Sequence, residues 1–267
     1  MYKFNIYFVC ILAAMAYLSL TTANAEEVPD KNVIKVGTYI LNSIDTDIRI
    51  NPTGGSIGTN INYSSDLGGE DKQTTPRLAG YYRFDDTHRI DYGYYKVDRQ
   101  GLRTLDIDLT IGDETFAGST SVSSQLNVDI YKFAYTYSFY HNEKVEIGFS
   151  AGLHFMDYEF LVNSNNQQTY DSFLAPLPVL GFLMNYNITP KWTTYVQSEI
   201  FFIEIEKSYR GSLSDLRFGV EYRAIKNVGF GLSINRMTLA ADVNENDFKG
   251  STSDVYTGTN LYGIVYF

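Results

Sequence analysis

Beyond its first 25 residues the chain has no cysteine, and proline, tryptophan and histidine are scarce. The sequence contains one Cys, six Pro, one Trp and three His. The single thiol, Cys10, lies in an apolar N-terminal segment, so disulfides cannot stabilise the remainder. No later run reaches about 18 apolar residues, which excludes a second helical membrane span. Basic clusters are also missing, and with a net charge of −10 the chain is unsuited to nucleic-acid binding.

The first 25 residues have the three parts of a secretory signal peptide. Lys3 precedes an apolar run from Ile6 to Leu20, and the small residues Ala23-Asn24-Ala25 follow. This pattern predicts cleavage after Ala25. An uncleaved anchor helix is the alternative, but the apolar run is short for a bilayer. Residues 26–267 are predicted to form one domain.

Apolar and polar residues alternate along most of that domain. Val145–Phe155 places six apolar side chains on one face and Gly, Ser, Glu and His on the other. Leu216–Tyr222 and Val228–Ile234 repeat the pattern, whose period of two is typical of β-strands. The longer runs cover about nine to eleven residues, the length that a tilted strand needs to cross a bilayer.

The alternation fits either a soluble sandwich with apolar faces inside or a membrane barrel with apolar faces outside. Two features favour the barrel. The polar faces combine Gly and Ser with charges of both signs, as a crowded polar lumen requires. Aromatic residues also cluster near strand ends, as at Tyr135, Tyr137 and Phe139, where they suit the interfacial girdles of a membrane barrel.

Short polar turns alternate with longer loops and indicate the number of strands. Four turns and five loops predict an all-β, antiparallel up-and-down transmembrane β-barrel of about ten strands, with eight or twelve as alternatives. The turns place Asp85–Thr87, Asn142, Pro190 and Lys226 on one rim; the loops place Asn62, Asn165 and Asn246 on the other. The predicted strands are 34–50, 76–84, 88–97, 120–139, 144–162, 172–187, 191–205, 212–223, 227–240 and 256–267.

Three segments leave this scheme open. Leu102–Gly112 also alternates, so it extends the third strand or adds a further pair. Gly54–Tyr63 could likewise form a strand. Pro176 and Pro178 interrupt a predicted strand, and because proline lacks a backbone N–H they predict weakened or bulged pairing there.

The chain ends in Leu261-Tyr262-Gly263-Ile264-Val265-Tyr266-Phe267, an alternating strand that closes on an aromatic residue. With the signal peptide and the other strands, it resembles a small Gram-negative outer-membrane β-barrel protein of the porin-like and OmpW-like group. The resemblance implies an outer-membrane location in a Gram-negative bacterium, with outer-membrane lipid and lipopolysaccharide as neighbours. It also implies assembly by periplasmic chaperones and the barrel-assembly machinery, with Gly263, Val265 and Phe267 in the recognised strand.

Charged residues on the inward faces form the main candidate site. They fit either a selectivity constriction or a network of internal ion pairs, and the near balance of signs favours the network. Glu199 is expected to pair with Arg217, with Arg83 and Arg223 as alternatives. The predicted lumen charges are Arg77, Arg83, Arg89, Asp91, Glu146, Glu199, Asp215, Arg217, Glu221 and Arg223, with Lys35 and Lys132 beside them.

Catalytic and metal sites find little support. Ser150 and His154 share a face but lie roughly 13 Å apart along a strand, too far for a dyad. His88 and His141 lie in turns. Asp242–Asp247 imitates the start of a calcium loop but lacks its glycine and closing glutamate. The acidic loop residues, among them Asp254, are expected to be solvated, and no cofactor is expected.

The sequence therefore predicts a non-enzymatic outer-membrane barrel that serves as a structural barrel or as a narrow channel for small solutes. Fold alone does not decide between functions, because small barrels host several. The alternatives are an outer-leaflet enzyme acting on lipid or peptide, and a surface-binding or adhesion barrel that uses its long loops.

Overall fold

The computed structural model describes residues 30–54, 56–205, 209–244 and 249–267, and most of them lie in β-strands. The predicted signal peptide, residues 1–25, lies outside the described residues. No helix in the described part of the chain is long and apolar enough to cross a membrane. The elements in chain order are β1 (Asn32–Ile50), β2 (Ile61–Asn62), α1 (Tyr63–Leu67), β3 (Gln73–Arg83), β4 (His88–Thr104), β5 (Leu109–Ile111), β6 (Glu114–Phe116), β7 (Ser121–His141), β8 (Val145–Asn163), β9 (Gln168–Thr189), β10 (Trp192–Ile205), β11 (Tyr209–Ile225), β12 (Val228–Asn244) and β13 (Lys249–Tyr266).

Ten long strands form a closed antiparallel barrel, which confirms the predicted fold. Each wall strand pairs with the next along the chain, and β13 returns to β1 in a seam from Val33↔Tyr266 to Ile50↔Gly250. The N–H of Phe267 donates to the carbonyl of Asn32 at 2.9 Å and extends this seam. The predicted strand bounds differ most, by seven residues, at the end of β4 and the start of β13. There the structure continues strands into segments predicted to be loops.

The wall changes character partway along its strands. On β7, Phe133 faces outward and is 53% exposed, while Lys132 is buried inside. A few residues earlier the placement of polar and apolar residues is reversed: the polar Asp129 faces outward and the apolar Ile130 is fully buried inside. On β8 the same reversal occurs between two outward-facing residues, the apolar Phe155 and the polar Asp157. The sequence analysis predicted a polar interior throughout; the structure corrects this for the part of the barrel beyond these residues.

The exposed apolar side chains form a belt that encircles the barrel over one half of its length, the half that contains the β7–β8 turn. The belt includes the outward residues of 131–139 on β7 and of 145–155 on β8. These stretches match the length of a strand that crosses a bilayer. The other half, which we call the extension, has mostly polar side chains outside and mostly apolar side chains inside, as expected for a part of the wall that meets water.

Tight turns close one end of the barrel, here named the turn end. The carboxylate of Asp85 accepts hydrogen bonds from the N–H groups of Thr87 and His88, each at 2.8 Å. Asn142 accepts in the same way from the N–H of Val145, at 2.8 Å. Asn and Asp favour such turns because their short side chains bond nearby backbone groups. Asp86, Asn142, Pro190 and Lys226 ring this end, as predicted.

The longer connections gather at the opposite, loop end. The side chain of Asn62 caps α1 by accepting from the N–H of Ser65, and Gly68 ends the helix at φ 71°. Strand β4 extends only to Thr104, after which β5 and β6 form a separate hairpin. The start of Leu102–Gly112 therefore extends the third strand and adds no further pair to the wall, whereas Gly54–Tyr63 contains β2, a two-residue strand that pairs with β1 as Asp47↔Asn62 and Ile48↔Ile61. Asn165 also lies at this end, between β8 and β9, whereas Asn246 is outside the described residues.

Pro176 and Pro178, which were predicted to weaken strand pairing, both lie in β9. Its pairing with β8 passes through them, as Phe155↔Pro176 and Leu153↔Pro178. Within the described residues, its pairing with β10 stops at Leu180↔Ile200. Because proline cannot donate a ladder hydrogen bond, it is tolerated where one side of a strand is unpaired. The weak pairing predicted from the two prolines corresponds to this gap between β9 and β10.

Candidate functional site: a charged chamber inside the barrel

The half of the barrel within the belt encloses a polar chamber of about 1610 Å³. Its mouth lies at the turn end, among Asp86, Asn142, Pro190 and Lys226. Charged side chains from seven wall strands point into it, because the alternation that exposes apolar residues to the outside sends their neighbours inward.

Apolar side chains fill the barrel beyond the chamber. Tyr39 and Tyr95 pack edge to face with ring centroids 5.3 Å apart, and the Tyr95 hydroxyl donates to the sulfur of Met237 at 3.6 Å. All three are at most 1% exposed. This apolar core continues to the loop end, where α1, β5 and β6 add Tyr63, Leu67, Leu109, Ile111 and Phe116 to it. Tyr39, Tyr95 and Met237 do not line the chamber, which ends at this layer.

The densest ion network lies nearest the mouth. Arg83 donates to Glu146 at 2.8 Å, and Arg89 reaches the same carboxylate at 3.4 Å. Arg89 also bonds Asp91 at 3.0 Å, and Ser138 donates to Glu146 at 2.6 Å. Each buried charge therefore has a partner of opposite sign, which offsets the cost of removing it from water.

A second network spans the middle of the chamber. Lys132 on β7 reaches across the lumen to Glu199 on β10, at 2.9 Å, and to Asp215 on β11. His154 Nε2 lies 3.1 Å from the same Glu199 carboxylate. The prediction that Glu199 pairs with Arg217 is wrong. In the β10–β11 register Glu199 lies opposite Asp215, whereas Arg217 lies opposite Gln197 and bonds it at 3.2 Å.

A third group lies beside the seam. Lys35 pairs with Glu221 at 2.5 Å, and the Tyr262 hydroxyl donates to the same carboxylate at 2.8 Å. The hydroxyls of Tyr195 and Tyr262 lie 3.0 Å apart. Gly231 makes room for the Tyr262 ring, since a Cβ at that position would collide with it. The small residues of the inward faces therefore have a steric role: they admit large side chains from other strands.

Arg77 is held differently from the other chamber cations. Its guanidinium lies 5.0 Å from the ring centroid of Tyr39 and 4.8 Å from that of Tyr95, on the side of the apolar core that faces the chamber. It donates to the side-chain oxygens of Asn235 at 3.3 Å and Asn260 at 3.1 Å. Among the described residues, no carboxylate forms an ion pair with it.

The structure places the predicted lumen residues together. Of the ten, nine line the chamber, and Asp215 is buried against Lys132. The ion pairs inside the barrel are Lys35–Glu221, Arg83–Glu146, Arg89–Asp91, Arg89–Glu146, Lys132–Glu199, Lys132–Asp215, Arg217–Asp215 and Arg223–Asp30.

The histidines show no catalytic arrangement within the described residues. His154 is 1% exposed, and its one polar partner is Glu199. Ser150 forms no hydrogen bond with it, in line with the distance argument. His141 bonds the carbonyl of Asp86 at 2.7 Å in the turns. In the described part of the chain, no group of three or more His, Cys, Asp and Glu could hold a metal ion, and residues 245–248 of the calcium-like segment lie outside that part.

A buried polar cluster in the extension was not predicted. Asp254, expected to be a solvated loop residue, is 0% exposed because β13 begins at Lys249. Its carboxylate accepts hydrogen bonds from Thr46 at 2.8 Å, Tyr158 at 2.9 Å, Thr252 at 3.0 Å and Tyr256 at 3.1 Å. Burial raises the pKa of this carboxyl above its usual range. The only hint in the sequence is the alternation of Thr252, Asp254 and Tyr256 with the smaller residues Ser253 and Val255.

Arg99 links the cluster around Asp254 to the loop that follows β1 and contains α1. This side chain is 0% exposed and lies 4.5 Å from the centroid of the Tyr63 ring on α1. It donates to the hydroxyl of Thr46 at 2.9 Å, to that of Ser64 at 2.7 Å and to the carbonyl of Glu70 at 2.6 Å. Through these bonds it holds the first long loop against the barrel interior.

Comparison with known proteins finds structural neighbours of low sequence identity. No protein-family model and no curated protein sequence matches the chain. Similar solved structures include the outer-membrane protease OmpT of Escherichia coli (11% identity, TM-score 0.49, 92% of this chain and 100% of that one). Others are the outer-membrane protein OprG of Pseudomonas aeruginosa (12%, 0.38, 90% and 96%) and the attachment invasion locus protein Ail of Yersinia pestis (9%, 0.35, 88% and 98%). These structural neighbours are outer-membrane β-barrel proteins whose names describe different functions.

Proposed function

We propose that the protein is an outer-membrane β-barrel of a Gram-negative bacterium that is closed to solutes and holds a folded extension at the cell surface. The apolar core that fills the extension is the observation that carries this proposal. The exposed belt supports the location in a membrane. In membrane barrels the short turns face the periplasm and the long loops face outward, so the chamber opens to the periplasm and the extension lies outside.

The charge arrangement in the chamber favours a structural role over ion selection. A selectivity filter presents rings of charge to a continuous aqueous path. Here the carboxylates that the wall strands direct into the chamber are bound by cations, and the path ends at the layer of Tyr39, Tyr95 and Met237. Internal ion pairs with this geometry tie opposite walls of the barrel together.

Single cysteines test which side of the membrane reaches the chamber. With Cys10 replaced by serine the chain has no other thiol. Thr193→Cys lies on the chamber wall, and Asp157→Cys lies on the outward face of the extension. A small charged methanethiosulfonate reagent added to intact cells should label Asp157→Cys and spare Thr193→Cys. After the cells are broken, both should react.

Conductance provides the second readout. The wild-type protein in a planar lipid bilayer should show no stepwise current. Labelling of Thr193→Cys from outside intact cells, together with current steps, would favour a narrow channel for small solutes. Labelling of Asp157→Cys only after the cells are broken would place the extension on the periplasmic side and contradict the orientation.

A further inference from the structure

Among the described residues, the charges inside the barrel balance except for one. When the exposed residues at the mouth (Lys31, Asp86, Glu143, Lys144 and Lys226) are set aside, seven cations and six carboxylates remain, and six of those cations are in ion pairs with the six carboxylates. The seventh cation is Arg77. A buried charge without a counter-charge costs several kcal/mol, so this residue marks the point in the chamber where negative charge is missing.

The surroundings of Arg77 intensify this imbalance. The carboxylate that attracts it, Asp215, is already bonded to Lys132 and Asn235. Arg217 is a second cation close enough to repel it. The Nε atom of Arg217 is itself buried without a hydrogen-bond partner in the described part of the chain. Two guanidinium groups, those of Arg77 and Arg217, therefore line the same chamber.

The position of Arg77 is fixed before any ligand arrives. The Tyr39 and Tyr95 rings flank its guanidinium, and the side chains of Asn235 and Asn260 hold one of its nitrogen atoms. Arg77 also lines the open chamber, so part of its fork faces open space. A guanidinium held in this way loses little conformational freedom on binding, and its planar fork matches the oxygens of phosphate or carboxylate.

From this arrangement we infer that the inner end of the chamber is a binding site for a small oxyanion, with Arg77 and Arg217 as its ligands. The anion enters from the turn end, because the apolar core blocks the other side. Arg77 lies six residues from the end of β3, which corresponds to roughly 20 Å of strand. A lipid headgroup at the membrane surface cannot reach that depth, so the occupant is a freely soluble anion of the size of phosphate.

Inorganic phosphate is the probe for this site. The folded protein in detergent micelles is titrated with sodium phosphate while sodium chloride keeps the ionic strength constant. Calorimetry should show one saturable site, and the thermal unfolding midpoint should rise to a plateau. Arg77→Gln should lower the affinity by at least about tenfold, because it removes a charge-assisted bidentate contact. Arg236→Gln, which replaces an exposed cation on the outward face, is the matched control and should bind phosphate as the wild type does.

A second variant keeps the guanidinium and supplies the missing charge from the protein. Asn260→Asp places a carboxylate beside Arg77, at the position of an oxygen now 3.1 Å away. This variant should unfold at a higher temperature than the wild type in phosphate-free buffer and should lose the phosphate response. Absence of saturable binding to the wild type would overturn the inference. The same conclusion follows if Asn260→Asp, or a folded Arg77→Gln, binds phosphate with wild-type affinity.

Discussion

Replacing Lys132 with methionine tests whether the central ion network holds the barrel together. The substitution keeps the length of the side chain and removes the charge that joins β7 to β10 and β11. Glu199 would keep only His154, and Asp215 would keep Arg217 at 3.9 Å and Asn235. Loss of one partner from a buried ion pair typically costs about 3–5 kcal/mol, and we expect a destabilisation of that size.

Glu199→Gln should have a smaller effect than Lys132→Met. Lys132 would still have Asp215 as a partner, so the loss should be about 1–3 kcal/mol, the range for one buried charged hydrogen bond. The double variant should be more stable than the sum of the two losses implies, since removing the cation also removes the penalty of its lost partner.

The assay is denaturant unfolding of the protein folded in detergent, followed by the fluorescence of Trp192 and by heat-modifiable migration. Lys96→Met is the control, because Lys96 forms exposed ion pairs with Asp98 and Asp129 that should be worth less than about 1 kcal/mol. If Lys132→Met cost no more than Lys96→Met, the network would be solvated and the structural role assigned to the chamber charges would fail.

Three further predictions concern the seam and the extension. Because burial raises the pKa of Asp254, its ionised form is disfavoured in the folded state. Relative to Asp254→Asn, the wild type should therefore gain stability as the pH falls from neutral towards about 4. Unfolding midpoints that change in parallel for the two proteins would contradict this. Gly231→Ala should displace Tyr262 and cost about 1–3 kcal/mol in denaturant unfolding, whereas Gly93→Ala, where a Cβ would meet nothing closer than 3.6 Å, should be tolerated. Arg99→Met should make the loop after β1 sensitive to protease while the barrel stays folded, and an uncut loop would show that other contacts hold it.

The β-barrel and most of its strand bounds were predictable because period-two alternation is a local signal. The turns at Asp85 and Asn142 carry their own side-chain hydrogen bonds, and they too are readable from short stretches of sequence. The largest errors, of seven residues each, fall at the end of β4 and the start of β13. The residues missed at these ends, Asp98–Thr104 of β4 and Lys249–Val255 of β13, are mostly polar on both faces, which makes the local pattern resemble that of a loop.

The sequence by itself determined which side chains face inward, since alternation assigns every second residue of a strand to one face. This assignment was enough to identify the charged residues of the chamber. Only the tertiary structure decided which charges pair. Lys132 and Glu199 lie 67 positions apart and meet across the lumen, where the closure and register of the barrel set the contact. The tertiary structure also decided that the lumen ends at Tyr39 and Tyr95, because whether inward side chains leave a channel or fill it depends on the width of the closed barrel and on packing between distant strands.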